Sequence, residues 1–207
     1  MRYPRQQPDV LPPEGDTRQL AAAPRPHPSA PAPLGPDGPP RLRGVLQPDP
    51  RLVFVGINPS TYSADHGHHF ARPGNAFWRL MREAGMIPPD WGPQQDGRLP
   101  ELAMGVTNVV ERATGSARAI TPAEAATGGK RLLAEMEACR ARAVCFVGAT
   151  AYRWATGRQP VGWGRQPLPY AGADCFVMPS TSGRANRWQH QRREVMQELR
   201  RYLADSS

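Results

Sequence analysis

The stretch RLVFVGINPS, residues 51–60, opens as an unbroken apolar run and ends in a polar turn. Continuous runs of this kind are typical of a strand buried on both faces of a sheet, because a strand with one solvent-facing side alternates apolar and polar residues. AVCFVGA (143–149) and DCFVMPS (174–180) have the same character, and GVTNVV (105–110) indicates a shorter strand. These runs predict the core of a mainly parallel sheet.

Amphipathic segments alternate with the predicted strands. NAFWRLMREAG (75–85) has apolar residues at helical spacing, and a capping box from Thr121 to Glu124 predicts the start of a helix that ends near Arg140. The remaining predictions are two helices, around 152–154 and at 188–203, and two loops, at 60–74 and 86–101. Strands that alternate with helices in this way predict an α/β fold, a three-layer α/β/α sandwich.

The 25 prolines and the formal charge of +8 are unevenly distributed along the 207 residues. Fourteen prolines fall within residues 1–50, and residues 1–40 hold four basic and four acidic side chains, so this segment is neutral. A Pro/Ala-rich segment cannot bury enough apolar area to offset its ordering entropy, so we predict a disordered tail at 1–40 and one folded domain at 41–207. The excess charge then belongs to that domain and favours a polyanionic partner, although an arginine-rich composition alone would produce the same charge.

Several classes of protein and site are excluded by what the sequence lacks. No apolar run approaches the ~20 residues of a membrane span, and no GxGxxG, P-loop or GxSxG motif occurs. The three cysteines form no CxxC pair, which indicates free thiols in a reducing compartment and a cytoplasmic location, at the nucleoid in a bacterium. The HGHH cluster (66–69) lacks an acidic or cysteine ligand at fixed spacing, so we expect no metal site.

The turn after the first strand contains the strongest local feature. Gly56 allows a backbone or a ligand to approach the end of the strand closely, and Asn58 lies at the strand tip, where Pro59 stiffens the turn. The carbonyl oxygen of the Asn58 side chain can hold a water molecule there. The alternative is a turn asparagine that caps its own backbone.

The chain carries four motifs in order: VFVGINPSTYSADHGHHFARPGNAFW (53–78), GVTNVVERAT (105–114), GGKRLL (128–133) and VMPSTSGRA (177–185). Together they resemble the signature motifs of the mismatch-specific uracil/thymine-DNA glycosylases. The resemblance implies the uracil-DNA glycosylase superfamily fold and hydrolysis of the N-glycosidic bond of a mispaired or damaged pyrimidine in double-stranded DNA. The target nucleotide must be flipped out of the duplex to be reached. The resemblance also implies that the reaction needs no metal or organic cofactor, and we expect a monomer.

The resemblance assigns roles to residues of the first two motifs. Asn58 would position the attacking water, and backbone N–H groups of the turn would stabilise the negative charge of the leaving base. Phe70 would stack on the flipped base, and ordinary packing in the core is the alternative. The residues implied to contact the base or its leaving charge are Gly56, Ile57, Ser60, Ser63 and Asn108.

The closing motif is expected to contact DNA. Arg184 corresponds to the side chain that fills the gap left by the flipped base, where a guanidinium can donate hydrogen bonds to an unpaired guanine. The loop of Ser180, Ser182 and Gly183 would contact phosphates. The further candidates for backbone contacts are Lys130, predicted near a helix start, and Arg187, Arg192 and Arg193, for which a solvated helix face is the alternative.

Asp65 departs from the family pattern. It is the only carboxylate between residues 50 and 82, and a carboxylate can act as a general base where asparagine cannot. Our hypothesis is that Asp65 contributes to catalysis with Asn58; the alternative is a loop residue paired with an arginine. Two other functions stay open at this point: a catalytically inactive DNA-binding protein that senses mispairs, and a flavodoxin-like binder of small ligands.

Overall fold

A computed structural model describes residues 38–205 of the chain, with the side chains of 184–186 excepted. The predicted tail at 1–40 lies almost wholly outside the described residues, as does the side chain of Arg184. At the start of the described chain, the N–H of Ala113 donates to the carbonyl of Pro40 at 2.8 Å. This contact ties residue 40 to the segment that follows the second strand.

The centre of the molecule is one five-stranded sheet. Its strands are β1 (Leu52–Gly56), β2 (Met104–Asn108), β3 (Ala143–Val147), β4 (Gly164–Arg165) and β5 (Asp174–Met178), in the order β2-β1-β3-β5-β4. All neighbouring pairs are parallel except β4 with β5. The sheet confirms the predicted α/β class and the four predicted strands. The sequence analysis missed β4, because two residues are too few to show a hydrophobic pattern.

Within residues 38–205, five α-helices surround the sheet: α1 (Thr61–Asp65), α2 (Phe77–Glu83), α3 (Pro122–Cys139), α4 (Ala149–Thr156) and α5 (Gln189–Asp205). Short 3₁₀ helices occur at Pro93–Leu102, Ala117–Ala119 and Gly183–Trp188. The two predicted loops therefore contain helical turns, which is a correction. In the first of them, Ser60 starts α1 by accepting a hydrogen bond from the N–H of Ser63, as an N-cap does.

The predicted capping box at the start of α3 is confirmed. Two glycines in its middle, which lower helix propensity, have a packing function. A Cβ on Gly128 would lie 2.2 Å from the carbonyl oxygen of Val109, and one on Gly129 would lie 2.8 Å from that of Trp154. The glycines let α3 approach both the chain after β2 and helix α4.

Alternate residues of β1 face opposite sides of the sheet. Leu52 and Phe54 belong to the core that includes α2 and α5, while Val53 and Val55 belong to the core that includes α3. Two apolar layers on the two faces of one sheet make the three-layer sandwich. No helix among residues 38–205 is long and apolar enough to cross a membrane.

Candidate active site

The functional site lies at the carboxyl edge of the sheet. Gly56 of β1 is in register with Asn108 of β2, and Val147 of β3 with Met178 of β5, so these strands end side by side. The loops that leave them enclose a cavity of about 410 Å³. In parallel sheets, ligands bind where loops leave the strands in this way. Eight of the predicted site residues line the cavity: Ile57, Asn58, Ser60, Ser63, Phe70, Asn108, Ser180 and Ser182.

The side chain of Asn58 is held by three acceptors on its amide nitrogen. Nδ2 donates to the carbonyls of Pro59 (3.0 Å) and Arg112 (3.1 Å) and to Oγ1 of Thr114 (2.7 Å). Because the nitrogen is committed to these groups, the carbonyl oxygen Oδ1 is the part of the amide left to accept a hydrogen bond. Part of the alternative reading, a turn asparagine bonded to its own backbone, is seen in the Pro59 contact.

An ion pair of Arg112 stabilises the segment whose carbonyl accepts the hydrogen bond from Asn58. The Arg112 guanidinium pairs with Glu124 (Nη2 to Oε2, 3.0 Å), and the same carboxylate closes the capping box of α3. The hydrogen bond from Arg112, followed by that from the Thr121 N–H, lowers the pKa of Glu124 to about 2. The start of α3 thereby holds the backbone carbonyl of Arg112, which accepts the hydrogen bond from Asn58.

Ser60 and Ser63 form one side of the cavity. The hydroxyl of Ser60 donates to that of Ser63 (3.1 Å), which also accepts from the N–H of Ala71 (3.2 Å). Ser63 is buried. These bonds connect α1 to the segment that carries Phe70, and Ser60 shapes the turn as a helix cap.

Gly56, Asn108 and Phe70 meet at the floor of the site. A Cβ on Gly56 would lie 2.4 Å from Oδ1 of Asn108 and 3.2 Å from Cζ of Phe70. Phe70 stacks on Phe77 with ring centroids 4.2 Å apart, and its φ of +54° is unusual for a phenylalanine. The floor therefore has no room for a side chain at residue 56.

Asp65 and Lys130 are two of the predicted residues that do not line the cavity. Asp65 ends α1 as an exposed residue and does not line the cavity. Ser63, two positions earlier, faces inward, and residues two apart on a helix point in very different directions. The structure therefore does not join Asp65 to Asn58. Lys130 is exposed in the middle of α3, so its predicted place near a helix start is wrong.

The neighbour of Lys130 contacts the site region instead. Arg131 donates from Nη2 to the carbonyls of Asn108 (2.5 Å) and Val109 (3.1 Å), at the end of β2. It also pairs with Glu135 on its own helix. Arg131 stabilises the strand end that carries Asn108, a role that the sequence analysis missed.

A buried His–Asp pair also borders the cavity. His69 lines the cavity and is 2% exposed; its N–H donates to Oδ2 of Asp96 at 2.8 Å, and its Nδ1 lies 3.0 Å from the same oxygen. Nδ1 of His68 lies 3.0 Å from the other carboxylate oxygen. Burial acts to raise the pKa of Asp96, but the hydrogen bonds and charge of His69, with the His68 bond, outweigh it and lower the pKa. Asp96 is 27 residues from His69, and no local pattern links them.

The closing motif forms the opposite wall through Ser180, Thr181 and Ser182. Arg192 of α5 is fully buried beneath this loop, so both its predicted direct contact with the DNA backbone and the alternative of a solvated helix face are wrong. Arg187 is exposed, with its guanidinium 5.1 Å from the centre of the Trp188 ring. A smaller cavity of about 190 Å³ lies between this loop at Ser182 and Gly183 and the first motif at Arg72 to Asn75.

The charged residues that line the main cavity favour an anionic ligand. Arg72 and Arg118, both exposed, are at its wall, and no aspartate or glutamate lines it. The sequence analysis missed both arginines. Among the residues that the structure describes, no group of three or more His, Cys, Asp or Glu is placed to hold a metal ion.

Comparison with known proteins agrees with this geometry. Residues 43–204 match the family model of the uracil DNA glycosylase superfamily. The fold is similar to the solution structure of a candidate uracil DNA glycosylase from Methanosarcina acetivorans, with a TM-score of 0.58 and 22% identity over 80% of this chain and 98% of that one. The family match covers most of the chain and shows the family, whereas the likeness to the solved structure, at 22% identity, supports the fold alone. The chain therefore belongs to the uracil DNA glycosylase superfamily, which makes it a DNA N-glycosylase by class.

Proposed function

We propose that the protein is a monofunctional DNA glycosylase that flips out uracil, and also thymine or other damaged pyrimidines, from G·U and G·T mispairs and excises the base by hydrolysis. It would start base-excision repair, acting as a monomer in the cytoplasm. The observation that carries this proposal is the orientation of Asn58, whose nitrogen is bound to Pro59, Arg112 and Thr114. Its carbonyl oxygen is then the natural acceptor for the attacking water.

The chemistry proposed at the site is a displacement by water. The water bound to Oδ1 of Asn58 attacks C1′ of the sugar, the C1′–N1 bond breaks, and its electron pair leaves with the base. The water oxygen keeps its new bond to C1′ and releases one proton, which neutralises the departing base anion through solvent. Backbone N–H groups of the 56–60 turn stabilise the resulting negative charge. Phe70 and Asn108, which border the same cavity, would stack on the base and contact its edge.

Two features support hydrolysis without a covalent intermediate. The only lysine of the chain, Lys130, lies on α3 and outside the residues that line the cavity. A side-chain amine that could form a Schiff base with the sugar is therefore missing from the described cavity wall. The absence of a lining carboxylate leaves Asn58 as the residue that positions the nucleophile.

The mispair preference rests on the cost of flipping. Extruding a nucleotide costs a few kcal/mol and is easiest when the base is mispaired. The closing loop 180–183 leads into Arg184, the residue that the family resemblance assigns to the vacated position in the duplex. Exposed arginines at the cavity mouth, Arg72 and Arg118, would bind the flanking phosphates.

The test is an alkali-cleavage assay with four otherwise identical DNA substrates, containing U·G, T·G, U·A or single-stranded uracil. We expect alkali-labile sites from U·G, fewer from T·G and U·A, and strand breaks only after alkali treatment. Equal rates on U·G and U·A would contradict mispair specificity while leaving the glycosylase function intact. Tight binding of U·G without any alkali-labile product would identify an inactive mispair sensor instead.

A further inference from the structure

Arg192 is a buried arginine whose hydrogen-bond partners, in the part of the chain that the structure describes, are main-chain oxygens. Its side chain is fully buried on α5. Nε donates to the carbonyl of Ser180 at 2.9 Å, and Nη2 donates to the carbonyls of Ser180 and of Ser182, the latter at 2.9 Å. The described residues include no carboxylate that pairs with it, and the charge that acts on it is another cation, Arg79.

Such an arrangement is costly for folding. Burying a cation without an opposite charge carries a desolvation cost that hydrogen bonds to carbonyls offset only in part. An apolar side chain of similar volume would avoid that cost. The position of Arg192 directly under the loop that walls the cavity therefore points to a function in that loop.

The hydrogen bonds determine the direction of three consecutive peptide groups. The carbonyls of Ser180 and Ser182 point to Arg192, and the carbonyl between them, that of Thr181, accepts from the N–H of Ala76 at 2.9 Å. In a planar trans peptide, the carbonyl and the following N–H point in opposite directions, and the described chain has no cis bond. The N–H groups that follow these three carbonyls therefore point away from the groups that hold the carbonyls. That of Ser182 donates to Oγ of Ser180 at 3.3 Å, which leaves those of Thr181 and Gly183 as the candidates for a ligand.

We propose that Arg192 is a positioning residue for DNA binding: it clamps the carbonyls of Ser180 and Ser182 so that the loop presents the N–H groups of Thr181 and Gly183 and the Ser182 hydroxyl to one phosphodiester of the DNA backbone. The uncompensated positive charge beneath the loop adds to the attraction for that phosphate. This inference rests on the proposed function, since it takes DNA as the ligand. It assigns to Arg192 the affinity for DNA and not the bond-breaking step.

The experiment compares Arg192→Met, Arg192→Lys and Arg140→Met with the unmodified chain. Arg140→Met is matched in charge, because Arg140 pairs with Asp49 on the surface and ends α3, away from the cavity. Single-turnover excision from U·G DNA gives the half-saturating enzyme concentration and the maximal rate separately. Binding to an undamaged duplex, measured by fluorescence anisotropy at several salt concentrations, gives the salt dependence without any catalysis.

For Arg192→Met, we expect the half-saturating enzyme concentration to rise about tenfold or more, because the loop loses the charge-assisted hydrogen bonds that position it for DNA. The maximal rate should stay within about threefold of the parent's, because the loop contributes to DNA binding and not to bond breaking. The slope of log affinity against log salt should fall by about one unit, as for one lost phosphate contact. Arg192→Lys should recover part of the affinity, and Arg140→Met should keep the parent's values.

An unchanged half-saturating concentration and salt slope in folded Arg192→Met would overturn the inference. So would a fall in the maximal rate alone. If Arg192→Met fails to fold, Arg192→Lys decides, because a lysine that keeps the charge but bonds the two carbonyls less well must still weaken binding. If the parent chain excises no base, the proposed function fails, whereas the anisotropy arm still tests the clamp.

Discussion

The side chain of Asn58 donates a hydrogen bond to Oγ1 of Thr114 at 2.7 Å, which joins the turn after β1 to the segment after β2. The Thr114 hydroxyl donates in turn to the carbonyl of Ser116 at 2.8 Å. The carbonyls of Pro59 and Arg112, which can only accept, thus determine which end of the Asn58 amide is free, and Thr114, 56 residues away, adds a third acceptor. The orientation of the proposed water-positioning residue is a property of two loops together.

This relationship predicts two graded effects. Asn58→Ala should lower the single-turnover rate on U·G DNA by about 100-fold or more, because the attacking water loses its acceptor. Thr114→Val keeps the shape of the side chain but removes its oxygen, and should lower the rate about tenfold through a loosened Asn58. Both variants should bind DNA like the parent. A Thr114→Val enzyme with the full rate would show that the hydrogen bond does not orient Asn58 for catalysis.

For Asp65, the structure predicts a small effect. The residue is exposed and does not line the cavity, so Asp65→Ala should leave the excision rate within about twofold of the parent, as for a surface substitution. The measurement is the single-turnover rate on U·G DNA at pH 7, with Asp65→Asn beside it. A loss of tenfold or more in both variants would restore the hypothesis that this carboxylate acts with Asn58.

Gly56→Ala should damage the floor of the site. Its Cβ would lie 2.4 Å from Oδ1 of Asn108, so the buried Asn108 must shift, with a cost of about 1–3 kcal/mol in stability and a loss of base binding. Thermal unfolding and the excision rate measure the two effects. Gly162→Ala is the matched control, since nothing lies within 4 Å of a Cβ there; an equally mild effect at both positions would contradict the close approach.

Acid stability should depend on Asp96. The pKa of Asp96 in the folded protein is lowered. The stability that its carboxylate contributes is therefore complete above the pKa of the unfolded chain, about 3.9, and is lost as the pH falls below that pKa. Asp96→Asn should therefore cost about 1–3 kcal/mol at pH 7, and its difference from the parent should shrink below about pH 4. Denaturant unfolding from pH 7 to pH 3 tests this, with Asp65→Asn as the exposed control. A difference that stays constant with pH would show that the charge of Asp96 is not involved.

The sheet and part of the cavity wall could be predicted from local sequence. The runs at 52–56, 143–147 and 174–178 are buried on both faces, so their composition alone indicates parallel strands. The motif order placed Asn58, Phe70, Asn108 and Ser180 in one site, and all four line the cavity. Parallel strands bring their carboxyl ends to one edge whatever lies between them.

The supporting contacts could not be predicted in the same way. The bonds of His69 to Asp96 and of Arg192 to Ser180 join residues 27 and 12 positions apart, and no periodic pattern specifies such pairs. Arginine side chains are usually exposed, so the residue type alone predicts a solvent-exposed position for Arg192, which is wrong. The chemistry of a carboxylate favours a catalytic role for Asp65, but the helix that Ser60 caps turns its side chain outward.

By itself, the sequence determined the α/β class, through hydrophobic periodicity, and the excess of positive charge in residues 41–207. The resemblance of its motifs to a known glycosylase family implied the residues that meet at the strand ends. Only the tertiary structure decided which atoms of those residues face the cavity. The carbonyls of Pro59 and Arg112 turn the Asn58 amide, Asp96 holds His69, and Arg192 and Ala76 turn the peptides of the closing loop. The physical reason is that a buried polar group must find a partner, and the partner that it finds is set by the packing of distant segments.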